Sequence, residues 1–158
     1  MDNVFVYCET EGAQVAEVSQ ELLTKGRKLA DELGVELHAI AAGAGLKGQV
    51  EQQILPYGVD KLFVFDDPAL FPYTSAPHTD ILVGLFQIRP AFGGNIVATI
   101  VNPEHRPQMA TVRSGVMQKA LYEGNACGEV VYPEVRKYVT PEACVVKVLD
   151  PHVEAAKH

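Results

Sequence analysis

The chain has 158 residues, 47% of them hydrophobic and 21% charged, with 13 Lys and Arg against 20 Asp and Glu for a net charge of −7. That is one ordinary soluble domain, large enough to bury a core without disulfides or metal. The acidic balance argues against a nucleic-acid or anionic-membrane surface, which needs clustered Lys and Arg. No apolar run approaches the roughly 20 residues of a membrane span. The opening Met1-Asp2-Asn3 lacks the basic flank of a leader. The expected setting is the cytoplasm.

Residues 4–8 (Val-Phe-Val-Tyr-Cys) are continuously apolar and predict a strand covered on both faces, as in a parallel sheet. Residues 9–12 read as a polar turn. Val15, Val18, Leu22, Leu29 and Leu33 then recur at helical spacing, with Leu23, Gly26 and Ala30 beside them. Ser19 suits the start of that helix and Gly34 its end. Residues 37–42 predict a second buried strand, 43–48 a glycine-rich turn, and Val50, Ile54 and Leu55 a short helix stopped at Gly58. Residues 61–65 predict a third strand ending at Asp66-Asp67. Strands alternating with helices imply right-handed βαβ crossovers and a parallel sheet.

Residues 68–77 hold three prolines and read as a loop, and 79–86 as one or two helical turns. Residues 88–92 and 96–101 predict two strands around Gly93-Gly94-Asn95, a hairpin, with 109–113 a third strand of the same meander. Residues 122–128 read as loop, and 129–132 and 144–149 as late strands. The predicted fold is thus α/β: a Rossmann-like three-layer parallel sheet with an added antiparallel hairpin. Residues 1–150 form the domain, and 151–158 a polar tail or linker.

Candidate chemistry is sparse. Gly43, Gly45 and Gly48 match G-x-G-x-x-G after a strand and before a helix, with Asp60 and Asp66 further on. Such glycines let backbone amides approach a pyrophosphate. The turn follows the second strand and its helix is short, so a plain tight turn is the expectation and an adenine-nucleotide or flavin site the alternative. Arg89, in front of the Gly93-Gly94 turn, has the planar fork for a carboxylate or phosphate, or for bracing the hairpin. Glu104 and His105 are an acid and an imidazole between prolines, without a partnered nucleophile. His38, His78, His152 and His158 form neither HxH nor HExxH, so no metal site is expected. Cys8, Cys127 and Cys144 are far apart and predict isolated thiols. Six Phe and six Tyr with no Trp look like core filling.

The stretch from Gln87 to Val101 (QIRPAFGGNIVATIV), followed by NPEHRPQMATVRSGVM to Met117, resembles the signature of electron-transfer flavoprotein alpha subunits. The front half, including Asn3-Val4-Phe5-Val6-Tyr7, Ala30-Asp31-Glu32-Leu33-Gly34 and Tyr57-Gly58-Val59-Asp60-Lys61, resembles that family's first strands and helices in order. The resemblance implies a heterodimer with a beta subunit, taking electrons from acyl-CoA or similar dehydrogenases to a quinone reductase or another acceptor. Some family members split electron pairs from NADH instead. It implies FAD held mainly by a second, carboxy-terminal alpha domain, which this stretch does not match, so no FAD ligand is carried over. Arg89, Phe92, Gly93, Gly94, Asn95, His105, Arg106, Gln108 and Arg113 match the signature and are expected to shape the hairpin and the subunit contact, without catalysis by this chain. One departure stands out. The chain passes from Phe86 directly to Gln87, where the family has at least one more strand–helix unit, a piece of roughly 30 residues or more for a βαβ unit. A core lacking it would be weakly stable.

Overall fold

The computed structural model describes residues 3–86, 111–124 and 127–144. Strand β1 (Val4–Cys8) runs into a two-residue pair, β2 (Thr10–Glu11) and β3 (Gln14–Val15), and then into helix α1 (Glu17–Leu33). Strand β4 (Leu37–Gly43), the one-turn helix α2 (Glu51–Ile54) with its 3₁₀ continuation Leu55–Tyr57, and strand β5 (Lys61–Asp66) follow. A 3₁₀ turn at Pro68–Leu70, helix α3 (Ser75–Phe86), strand β6 (Glu129–Val131) and 3₁₀ turns at Val135–Lys137 and Pro141–Cys144 complete the described elements.

Four strands form one sheet in the order β1-β4-β5-β6, every neighbouring pair parallel. The two-residue side-chain period sorts the central strands onto two faces. Ala39, Ala41, Leu62 and Val64 point into one core with Leu23 and Ala30 of α1 and Ile54 of α2. Ile40, Ala42 and Phe65 point into a second core with Ile81 of α3, Val135 and Val139. Residues 37–42 are all buried, which is why they are apolar but for His38. The result is the expected α/β, three-layer arrangement. The antiparallel component among the described residues is the β2–β3 pair, where the sequence predicts a turn over 9–12 and puts Val15 in the helix. Gln53 fastens that pair to α2, accepting the Val15 N–H at 2.9 Å and donating to the Ala13 carbonyl at 2.8 Å.

Helix α1 corrects two expectations. It starts after Ala16, and Ser19 sits buried inside its first turn, where its hydroxyl oxygen accepts the Glu9 N–H at 2.8 Å. Ser19 therefore ties the helix to the end of β1 instead of capping it. Leu29 and Leu33 are exposed, at 39% and 61% of their surface. The core face is the narrower Leu23–Gly26–Ala30 stripe. A Cβ on Gly26 would stand 2.9 Å from a Leu37 methyl and 3.0 Å from a Val6 methyl, so the missing side chain lets helix and sheet close together. Gly34 ends the helix as expected, with φ 67°.

Helix α3 begins at Ser75, inside the segment that its prolines make look like loop. His78 holds it to the sheet: one ring nitrogen lies 2.9 Å from the Thr74 carbonyl and the other 3.3 Å from the Ala42 carbonyl. The predicted strand over 129–132 is β6. The described part of the predicted 109–113 strand, residues 111–113, is not strand. The hairpin of 88–101 and the tail 151–158 lie outside the described residues, as does all of the predicted last strand but Cys144. The three cysteines are free thiols.

Candidate functional site

The glycine turn lies at the carboxyl end of the sheet, where open parallel sheets place their ligands. Parallel pairing sets Gly43 of β4 opposite Asp66 of β5. Beyond it the chain turns back on itself, with Gly45 at φ 72° and Gly48 at φ 80°. Asp66 faces this turn, and its two carboxylate oxygens accept the Gly45 and Lys47 N–H groups, each at 2.8 Å. The Asp67 N–H donates to the Gly43 carbonyl at 3.0 Å. The amides that would cradle a phosphate oxygen are thus held by a built-in anion. Helix α2, one turn long, adds little dipole. The sequence reads Asp66 as a distant partner of a fingerprint, whereas the fold seats it on the fingerprint's own donors.

Two further groups close the turn. The Lys47 ammonium stands 4.5 Å from the centre of the Tyr132 ring. The Tyr132 hydroxyl donates to a Glu51 carboxylate oxygen at 2.6 Å. Burial alone would raise the Glu51 pKa, but the Tyr132 hydrogen bond and backbone donors at Gly48 and Glu51 bring it below the ordinary carboxylate value. The arrangement fastens the segment after β6 to the start of α2.

The second constellation is the end of the signature run. Arg89, Phe92, Gly93, Gly94, Asn95, His105, Arg106 and Gln108 lie outside the described residues, as does Glu104. Arg113 is described and exposed. From Gly115, at φ 77°, the chain crosses the side of α1 that faces away from the sheet. Glu21, buried there, accepts the Gly115 N–H at 2.9 Å and the Met117 N–H at 3.2 Å. The Thr24 hydroxyl lies 3.1 Å from both the N–H and the carbonyl of Ala120. Lys119 pairs with Glu17 at 3.2 Å. The Tyr122 N–H donates to the Pro56 carbonyl at 3.0 Å. Below this arm the Arg27 guanidinium bonds Asp31 and Asp60, each at 2.7 Å, and the Gly58 carbonyl at 2.8 Å. Asp60 in turn accepts the Leu37 N–H at 2.8 Å.

Glu21 and Thr24 are residues that sequence reasoning misses. They stand on what reads as the solvent face of an amphipathic helix, and their partners lie 94 and 96 positions away. Among the described residues no group of three His, Cys, Asp or Glu converges as metal ligands would, and no helix is long and apolar enough to cross a membrane.

A sequence model described as the electron transfer flavoprotein domain matches residues 4–87 and 84–137. Its two segments meet at the junction where the sequence reading places a missing unit. The chain is similar to the Protein FixB of Clostridium saccharobutylicum, 33% identical over 172 residues that take in 78% of this chain and 51% of that protein. It is similar to the electron transfer flavoprotein subunit alpha of Thermoanaerobacterium thermosaccharolyticum, 28% identical with 82% and 53% covered. It is also similar to the lactate dehydrogenase (NAD(+),ferredoxin) subunit LctC of Acetobacterium woodii, 29% identical with 85% and 43% covered. The chain spans about half the length of the curated relatives it matches. An alignment of 172 residues exceeds the 158 of the chain, so it holds gaps where the relative has residues that this chain lacks.

Proposed function

The chain belongs to the electron transfer flavoprotein family, and from that premise we propose that it is the docking half of an electron-carrying alpha/beta heterodimer. It binds a beta subunit and supports a flavin held by other polypeptide. In this reading the pair moves electrons from acyl-CoA or similar dehydrogenases to a quinone reductase or another acceptor, in the cytoplasm. This chain contributes surface and rigidity and performs no catalysis itself. The observation that carries the proposal is the family match over residues 4–137, which takes in the signature run.

FAD is the cofactor the family implies, and the glycine turn does not fit its pyrophosphate. The turn that would receive it has Asp66 on the Gly45 and Lys47 amides, and a second anion there would meet like charge. The proposal therefore places FAD on the full heterodimer and leaves this chain without it.

Co-production with a beta subunit, followed by size-exclusion chromatography with light scattering, tests the docking role. A one-to-one complex at micromolar concentration is the expected result, and two separate species would refute it. The visible spectrum of the isolated chain tests the cofactor assignment. A stoichiometric yellow chromophore would favour a stand-alone flavin or adenine-nucleotide protein instead.

A further inference from the structure

Residues 114–124 cross the outer side of α1 as neither helix nor strand, and all are exposed except Met117, which is half-buried. Val116 and Leu121 stand in water at 68% and 64% exposure. The arm therefore buries little apolar surface, the dominant favourable contribution to packing. Open grooves of about 250 and 260 Å³ lie where it meets the helix, and Thr24 and Lys28 line both. A contact with such gaps forgoes much of the dispersion attraction of a close-packed core.

What holds the arm is polar and spaced along it. Glu17, Glu21 and Thr24 share one face of α1 and take Lys119, the Gly115 and Met117 amides, and both backbone groups of Ala120. At the far end the Tyr122 amide reaches the Pro56 carbonyl, and the Tyr122 ring lies against Gly58, where a Cβ would stand 2.7 Å from it. Neighbouring anchors are at most one residue apart, so no stretch between them is long enough to lift alone. Helical geometry sets Glu21 opposite Leu23 and Ala30, so the arm covers it and the sheet does not. Release returns that carboxylate to water. It leaves the Thr24 hydroxyl the Gln20 carbonyl, also 3.1 Å away, so opening orphans no buried polar group on the helix. Leu23 and Ala30, fully buried on the sheet side, keep α1 in place.

We infer that residues 114–124 are a strap that releases from α1 as one unit while the helix stays on its sheet, so that the outer face of α1 alternates between a covered and an uncovered state. Few buried apolar contacts and solvent-exposed hydrogen bonds are what place a segment at the low-stability end of a fold. The run that resembles the family signature ends at Met117, inside the strap. A partner that favours either state would shift the balance between them. The inference stands independently of the heterodimer reading.

Native-state amide hydrogen exchange of the whole chain tests this without any substitution. The amides of Gly115, Met117, Ala120 and Tyr122 are expected to exchange through one shared opening, about tenfold or more faster than those of β4. Exchange at the β4 rate would mean that the arm leaves only when the whole fold does, and would overturn the strap. Glu21→Ala should speed all of these arm amides by about tenfold and leave β4 unchanged. An effect confined to Gly115 and Met117 would show separate fraying and overturn the single unit. Thiol labelling of Thr24→Cys with iodoacetamide, read peptide by peptide by mass spectrometry, follows the uncovering directly. Its rate should fall between those of exposed Cys127 and buried Cys8, about tenfold or more above Cys8. A rate equal to that of Cys127 would mean that the arm covers nothing, and one equal to that of Cys8 that it opens only with the fold; each overturns the proposal.

Discussion

Glu21, in the second turn of α1, accepts the N–H of Gly115 at 2.9 Å across 94 positions of sequence. The same carboxylate takes the Met117 N–H at 3.2 Å, so one buried side chain holds two donors of the arm. Glu21→Ala strands both. Gly115 is exposed and Met117 half-buried, so water takes up part of each bond, and the expected loss is about 1–2 kcal/mol. Glu21→Gln keeps one acceptor oxygen and should lose less than half as much. Urea unfolding reads this as a fall in midpoint at unchanged slope. A wild-type midpoint for Glu21→Ala would show that the arm is not fastened by this residue.

Asp66 is the corresponding clamp for the glycine turn. Asp66→Ala removes two charge-assisted hydrogen bonds and should destabilise the fold by about 2–3 kcal/mol. Asp66→Asn keeps an acceptor for one amide but presents its NH₂ to the other, so it is expected to fall between. Because the wild-type carboxylate holds the Gly45 and Lys47 amides, titration with AMP, ADP and NADH should give no saturable heat. A micromolar isotherm in the wild type would overturn the plain-turn reading.

The parallel half of the fold was legible because its strands are buried on both faces. Residues 4–8 therefore carry an unbroken apolar run, and 37–42 and 61–65 are polar only at His38 and Lys61, a density that no amphipathic helix would have. The flaw lay in α1. Helical spacing links Leu29 and Leu33 to Leu22 as readily as it links Leu23, Gly26 and Ala30, yet Leu22 packs against the core while Leu29 and Leu33 stay exposed, and the close approach to Val6 and Leu37 comes at Gly26. A glycine is invisible to an apolar count, yet here its lack of a side chain brings the helix onto the sheet. The arm was illegible for a different reason. Its anchors are polar residues on a helix face that the local pattern assigns to solvent, and the segment that buries them arrives almost a hundred residues later. The turn was half legible: its glycines were found, but the identity of the anion they cradle depends on parallel register, which no local pattern contains.

Gly128 leads into β6, and a Cβ there would strike the carbonyl oxygen of Val59 and stand 2.8 Å from a Leu55 methyl. The obstacle is backbone, so no rotamer change relieves it. Gly128→Ala should push β6 away from β5, weakening the Leu62–Val130 pairing and the Glu129 N–H bond to the Asp60 carbonyl. A loss of about 1–3 kcal/mol is expected from such overpacking. Amide hydrogen exchange gives the specific readout: protection should fall at residues 129–131 and persist in β1 and β4. Uniform loss along the sheet would mean that β6 is not a separable edge.

Cys8 lies at the end of β1, 1% exposed, and burial pushes its thiol up to about 12 from 9.0 in the unfolded chain. Tyr7 beside it is also raised, by burial first and then by Tyr73, Cys8 and Glu9. Between pH 9 and 12 the unfolded chain releases a proton that the folded chain keeps. The unfolded state then binds fewer protons, and unfolding becomes easier as pH rises. The contribution of Cys8 is thus complete below pH 9 and is lost as pH climbs toward 12, with a limiting slope of about 1.4 kcal/mol per pH unit for one proton. Cys8→Ala leaves a methyl-sized group without a titrating proton, and its stability profile should be flatter than the wild type's above pH 9 while lying lower at pH 7 from lost packing. Urea midpoints collected from pH 7 to 11 supply the curve. Thiol labelling gives an independent check: exposed Cys127 should react with a disulfide reagent at pH 8, while Cys8 reacts only after denaturant is added. Parallel profiles for the wild type and Cys8→Ala above pH 9 would show that this thiol ionises equally in the folded and unfolded chain.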